Sequence, residues 1–452
     1  MDGGCSKVRE SGFNAVITVN LRIRFTTIYG WCPAWLMLTF AFSVSRVQAQ
    51  SVATSSTNAT LLVVEAPAFQ AALEPLLAER RKQGFNVVVV STANIFTPEQ
   101  IKSGNGAPLE SFLQNATAKE KIDFVLLAGV APAAGNSEVA QQTVVPSLAG
   151  KIGRMKGKPS DFGFGLPDTN GLPKISVGRF PARSIEEMQG MVSKTLALER
   201  DREPGPWRNR LLLIEGNSGS GVLGDMFMDQ TTRARIKLLH PAWTLQTVFD
   251  NPRSTNYVPT ARLHDTAIVA LAAGELFSVY MGHSGSAGLW SINTNFLSST
   301  DFARLKIARG GGVLFSCGCF ACEPDAPRRE AYGLSAMRNP AGPVAVIGAS
   351  GESYSAPGLL AADGLLRCLG TPPFPSRLGN YWQAIQAGLA AGEIDNATFM
   401  MCDQADGTGG KVPLSIQRQE HLEMWMLLGD PTLRLPILSS EVTPEKSSAA
   451  RQ

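Results

Sequence analysis

The chain has 452 residues, 44% hydrophobic and 17% charged, which is ordinary usage for a protein that folds around a core and excludes an intrinsically disordered chain. Residues 1–50 carry five of the 41 basic and two of the 38 acidic residues, leaving 36 of each beyond them. A nucleic-acid binder concentrates a basic excess on one face or stripe; the neutral remainder has no such run, so nucleic acid is excluded as an expected partner.

Taken in chain order, the N-terminus reads as a targeting segment. Arg22 and Arg24 precede an apolar run from Trp31 to Val44, and Val47-Gln48-Ala49 offers the small residues that a signal peptidase cuts after. Residues 1–49 are therefore expected to be a signal peptide and leader, and 50–59 a short linker. The apolar run is shorter than the roughly 20 residues of a spanning helix, so cleavage is expected to leave no membrane span and a secreted or envelope-located protein.

From residue 60 the pattern is α/β. Leu61–Val64, Val87–Val90 and Phe124–Gly129 are continuous apolar runs of the kind that parallel strands show when both faces are covered. Phe69 to Gly84 has helical spacing ended by glycine, and Ile175–Arg183 gives a short strand and turn before a helix from Ser184 to Glu199. Glu203-Pro-Gly-Pro-Trp207 breaks the pattern and marks a seam. A second run follows, with strands at Leu211–Ile214, Leu276–Tyr280, Gly312–Ser316 and Val344–Ile347 and helices near Gly224–Leu239 and Tyr381–Ala391; Met424–Pro436 closes it. The expected architecture is two side-by-side α/β subdomains, 60–205 and 206–436, each a mostly parallel sheet flanked by helices, with a polar tail at 437–452.

In open α/β sheets, functional groups lie beyond the carboxyl ends of strands. Leu276–Tyr280 runs into Met281-Gly282-His283-Ser284-Gly285, and Gly312–Ser316 runs directly into Cys317. The two residues are 34 positions apart, room for one crossover, so neighbouring parallel strands would bring both to one rim. A Cys–His couple suits that place because the attacking species is the thiolate and an adjacent imidazole takes its proton. Of the four histidines, His240 and His421 sit in helical patterns and His264 at the start of another. Two of the seven cysteines, Cys5 and Cys32, fall in the leader; Cys317, Cys319 and Cys322 are clustered, and Cys368 and Cys402 stand apart. An odd number of cysteines leaves at least one thiol free in an exported protein.

The order strand, Gly-His, glycine-rich loop, strand, Ser-Cys resembles the caspase, clostripain and gingipain clan. Val177-Gly-Arg-Phe-Pro-Ala-Arg183, Gly342-Pro-Val-Ala-Val-Ile-Gly348 and Leu427-Leu-Gly-Asp-Pro-Thr-Leu-Arg-Leu435 resemble the gingipain family in particular, over about residues 60–436. The resemblance implies a caspase-like fold and a cysteine endopeptidase acting on protein or peptide. It implies His283 as general base, Cys317 as nucleophile, and the backbone N–H groups of Ser284 and Cys317 as the oxyanion hole. A carboxylate of the first subdomain would orient the histidine, Asp161 in first place and Asp168 in second; Asp168 and Trp290 would otherwise line the substrate pocket. No organic cofactor is implied, and calcium enters only as a structural ion without assigned ligands.

Three departures stand beside the resemblance. Ser284 replaces the usual glycine, Gly318-Cys319-Phe320 replaces a more polar stretch and leaves Cys319 as an alternative nucleophile, and only about ten residues separate the expected cleavage site from the first strand, where gingipains carry a large prodomain. The first two motivate a second reading, a catalytically silent relative that binds peptides or surface partners. A third reading is a zinc site of Cys317, Cys319, Cys322 and His283. A disulfide from Cys319 or Cys322 to Cys368 or Cys402 is a further expectation compatible with catalysis. Asp161 and Asp168 also read as turn or cap residues, and Trp290 as core packing.

Overall fold

Continuous apolar runs alternating with helices become one sheet of ten strands in the computed structural model. It describes residues 59–132, 140–291, 294–308, 311–324 and 330–437, so the expected leader, the linker up to 58 and the tail from 438 lie outside the described residues. The strands are β1 (Thr60–Glu65), β2 (Asn86–Ser91), β3 (Phe124–Ala128), β4 (Ser176–Phe180), β5 (Arg210–Glu215), β6 (Thr244–Phe249), β7 (Phe277–Met281), β8 (Val313–Ser316), β9 (Ala345–Ala349) and β10 (Trp425–Leu428). Their order across the sheet is β2-β1-β3-β4-β10-β9-β8-β7-β5-β6. The inner strands are buried on both faces, as helix-covered parallel strands must be, and the edge strands β2 and β6 are only half-buried.

The two expected halves correspond to β1–β4 and to β5–β10, and they join edge to edge. β10, last in the chain, lies at the centre: it pairs antiparallel with β9 and parallel with β4, where Leu428 stands opposite Arg179. The first four strands therefore run opposite to β5, β7, β8 and β9, and the carboxyl ends of the two groups point to opposite rims. One hydrophobic cluster covers both faces of the first half and one face of the later strands, taking in Leu61, Leu62, Val125, Leu212, Leu314 and Val346; a second, around Phe277, Phe315, Ile347, Tyr381 and Trp425, covers the other face of the later strands.

Two buried polar ties cross the seam. Lys194, on the helix Ile185–Arg200, donates to the carbonyls of Met337 (2.5 Å), in the last turn of the helix Tyr332–Arg338, and of Asn339 (3.0 Å), just past its end. Arg80 is sandwiched between Asp430 (2.7 Å) and Glu199 (2.8 Å).

Three features depart from the expected elements. A hairpin unit of three short strands, Ser284–Gly285, Gly288–Ser291 and Thr294–Ser298, occupies what reads in sequence as a glycine-rich loop. β6, at the sheet edge, mixes Thr244, Gln246 and Thr247 with Leu245, Val248 and Phe249 and carries no continuous apolar run. His240 lies past the end of the helix Gly221–Ile236, not inside it, where its Nδ1 accepts from the Ala242 N–H at 3.2 Å.

Candidate active site

β7 and β8 are neighbouring parallel strands, with Ser316 opposite Tyr280. Cys317 continues the ladder by one bond, its N–H donating to the Tyr280 carbonyl at 2.8 Å. After Met281 the chain leaves the sheet at Gly282, whose φ of +154° belongs to glycine alone. A Cβ at Gly282 would also stand 2.9 Å from the Gly216 Cα on the exit of β5. This turn sets His283 on the surface. Its carbonyl is held by the Trp290 N–H at 2.9 Å and by the Tyr280 hydroxyl.

The imidazole Nε2 lies 3.0 Å from the Ser218 carbonyl on the loop after β5. A carbonyl only accepts, so Nε2 carries the proton and Nδ1 is the basic nitrogen. Ser218 is itself fixed, because its hydroxyl (2.6 Å) and N–H (3.3 Å) both donate to Asp225. Sequence reasoning passed over Ser218, since a main-chain carbonyl leaves no signature in residue type.

Cys317 is half-buried, with its Sγ 3.6 Å from the Gly358 carbonyl. Burial pushes its pKa well above the ordinary thiol value; Arg235 pulls it down and Asp363 pushes it up, and those two form an ion pair at 2.9 Å. Burial thus disfavours the Cys317 thiolate, which proton transfer to a neighbouring base would supply.

The loops bearing His283 and Cys317 interlock. The Ser284 hydroxyl donates to the Cys319 carbonyl at 2.8 Å, and a Cβ at Gly318 would stand 2.1 Å from the Ser284 Oγ. The departure Ser284 therefore has a structural use, as a strap between the two loops. No hydrogen bond joins His283 to Cys317 in this structure.

The remaining expected residues divide. Trp290 lies beside His283, 45% exposed, its ring packed over Gly285 so closely that a Cβ there would stand 2.9 Å away; it is not core packing. Asp161 does not reach the imidazole. Its carboxylate is buried against Arg179, which donates from Nε (2.8 Å) and Nη2 (2.7 Å), and against the Ser147 hydroxyl (2.7 Å). Arg179 also donates to the carbonyls of Gly129 and Val145, so the group knits together the first half of the sheet. Asp168 closes its own turn, accepting from the N–H groups of Asn170 (2.8 Å) and Leu172 (3.0 Å). The Cys317 N–H, expected in an oxyanion hole, is engaged by Tyr280.

The clustered thiols diverge. Cys319 accepts from the Ser353 N–H at 3.3 Å, and Cys322 is buried in the core cluster of the opposite face. Among the described residues no group of His, Cys, Asp or Glu is placed to hold a metal ion, which leaves the zinc reading without a centre. Cys317, Cys319, Cys322, Cys368 and Cys402 are all free, so the expected disulfide is not formed; Cys322 packs in one core cluster and Cys402 in the other.

Comparison with known proteins agrees with the fold. Solved structures with the same fold include the Arg-specific cysteine proteinase gingipain R (RGPB), at 18% identity over 85% of this chain and 80% of that one, with a TM-score of 0.62. A second is the complex of Porphyromonas gingivalis RgpB pro- and mature domains, at 18% identity over 84% and 80%, with a TM-score of 0.61. No curated protein matches. The sequence profile of peptidase family C25 matches residues 54–436, which takes in every strand of the sheet and both interlocked loops. The chain, with its caspase-like α/β sheet, belongs to peptidase family C25 and is a cysteine-type peptidase.

Proposed function

We propose that the protein is an exported endopeptidase in which His283 and Cys317 hydrolyse peptide bonds through an acyl-thiolate intermediate. The observation that carries this is the pairing of β7 with β8, which supports a histidine and a cysteine on one rim with their loops tied through Ser284 and Gly318. His283 Nδ1 takes the Cys317 proton as the sulfur attacks the carbonyl carbon. The C–S bond forms, and the C–N bond breaks as the imidazolium protonates the leaving amine. Water, deprotonated by His283, then attacks the thioester, the acid leaves and the thiol is restored. The Ser218 carbonyl favours the required tautomer and stabilises the imidazolium, the part first expected of Asp161. The Ser284 N–H serves the oxyanion, joined by the Cys317 N–H as far as Tyr280 releases it.

The chemistry needs no organic cofactor; calcium as a structural ion rests on the family resemblance alone. Export rests on Arg22, Arg24, the run Trp31–Val44 and Ala49. Among the described residues no helix is long and apolar enough to cross a membrane. Cleavage of a peptide library by the purified protein, with Cys317→Ala as the blank, tests the activity: identical products from both would end the reading. The half-buried Cys317 thiol with its raised pKa supports a second reading, a silent peptide binder on the same scaffold. That reading expects saturable peptide binding without products.

A further inference from the structure

Nine large hydrophobic side chains are exposed among the described residues, and four of them lie on the two segments that flank His283, the helix after the Ser218–Gly219 loop and the hairpin that follows the histidine: Val222 (52%), Leu223 (74%), Met226 (54%) and Trp290 (45%). Val222 and Met226 are four apart and Leu223 and Met226 three apart on the helix Gly221–Ile236, so they share one face. The helix begins two residues after Gly219, where an added Cβ would stand 3.2 Å from the His283 Nε2. Trp290 approaches the same loop through its carbonyl, 3.5 Å from a Cβ placed at Gly216. Asp225, between the exposed residues in sequence, is turned inward onto Ser218, so no charge of its own interrupts the patch.

The strand order gives the patch a side. β8 carries Cys317, β7 carries His283, and β5 leads into the loop and helix of the patch, in that sequence across the sheet. In peptide hydrolysis the acyl carbon bonds to sulfur while the leaving nitrogen faces the imidazole. The substrate beyond the scissile bond therefore runs over His283 toward β5. Resting on the hydrolytic reading above, we propose that Val222, Leu223 and Met226, with Trp290, form a subsite that selects an apolar side chain on the leaving-group side of the scissile bond, within its first two residues.

The test uses the full chain and two substrate types sharing one acyl segment. Quenched peptides carry Leu or Phe, or else Ser or Glu, in the first two positions after the scissile bond; a methyl ester of the same acyl segment places only a methyl group there. A hydrophobic pocket discriminates by roughly ten- to a hundredfold, and the wild-type protein is expected to prefer Leu and Phe over Ser by about that much in kcat/KM. In Leu223→Ser with Met226→Ser the ratio is expected to fall to near one, with methyl-ester turnover as the reference rate for the catalytic pair. An unchanged ratio in the variant, or no apolar preference in the wild type, overturns the subsite. So does a loss of concentration-dependent self-association in the variant with the ratio intact, which assigns the face to a second copy. Failure of the wild type to cleave the methyl ester and the peptides alike overturns the hydrolytic reading instead.

Discussion

Ser284 shows how one hydroxyl can stand in for backbone freedom. Ser284 is buried, and its Oγ reaches the carbonyl of the half-buried Cys319 across the gap between the loops bearing His283 and Cys317, where losing the donor is costly. Ser284→Ala leaves that carbonyl without its donor and is expected to lower stability by about 1–3 kcal/mol. Because the strap also sets the distance between imidazole and sulfur, kcat should fall more than KM rises. Thermal denaturation beside steady-state kinetics checks both; a stable variant with wild-type kcat would remove the strap from the account. At this scale the placement of His283 and Cys317, each just beyond one of two neighbouring apolar strands, was legible in the sequence. Ser218 was not, since its contribution is a carbonyl that every residue possesses. Asp161 was misread because its partner Arg179 sits in a strand whose direction no local pattern reveals.

At the scale of elements, the helix Ile185–Arg200 is held to the second half of the sheet by Lys194, whose ammonium is buried against two carbonyls. Burial pushes its pKa down from 10.5 to about 7. Between those values the unfolded chain binds more protons than the folded one, so stability rises as pH increases through that window and the gain is absent below it. Melting temperatures of wild type and Lys194→Met across pH 6 to 10 (roughly the window set by the two values) should diverge in slope, the variant being flatter. Parallel slopes would mean that Lys194 stays charged in the fold. The inner strands marked by continuous apolar runs of four to six residues were read from the sequence to within a residue or two, because such runs admit few alternatives, whereas β10 at the sheet centre was read only as part of the longer closing segment Met424–Pro436. The hairpin after His283 was missed: its glycines read as loop, and its pairing is fixed by contacts such as Trp290 with His283.

For the whole molecule, the reversal of strand direction at β10 decides which residues can share a rim. Two α/β halves were visible in the sequence from the seam at Glu203–Trp207, but not their fusion through the last strand, because pairing partners far apart in sequence are set by tertiary packing. The reversal makes Asp161 a holder of the first half. Asp161→Ala leaves Arg179 buried without its carboxylate, and breaking such a pair costs about 3–5 kcal/mol. Chemical denaturation should report that loss, while the folded fraction retains its pH–rate profile; a stable protein with a displaced profile would return Asp161 to the histidine.

The central claim is that His283 draws the proton from Cys317, and alkylation of the full chain by iodoacetamide, mapped by mass spectrometry with and without His283→Ala, tests it most directly. The account predicts modification at Cys317, rising with pH as befits a thiol whose pKa is raised by burial, and strongly slowed when His283 is removed. Labelling of Cys319 in preference to Cys317, or labelling of Cys317 indifferent to His283, would contradict it.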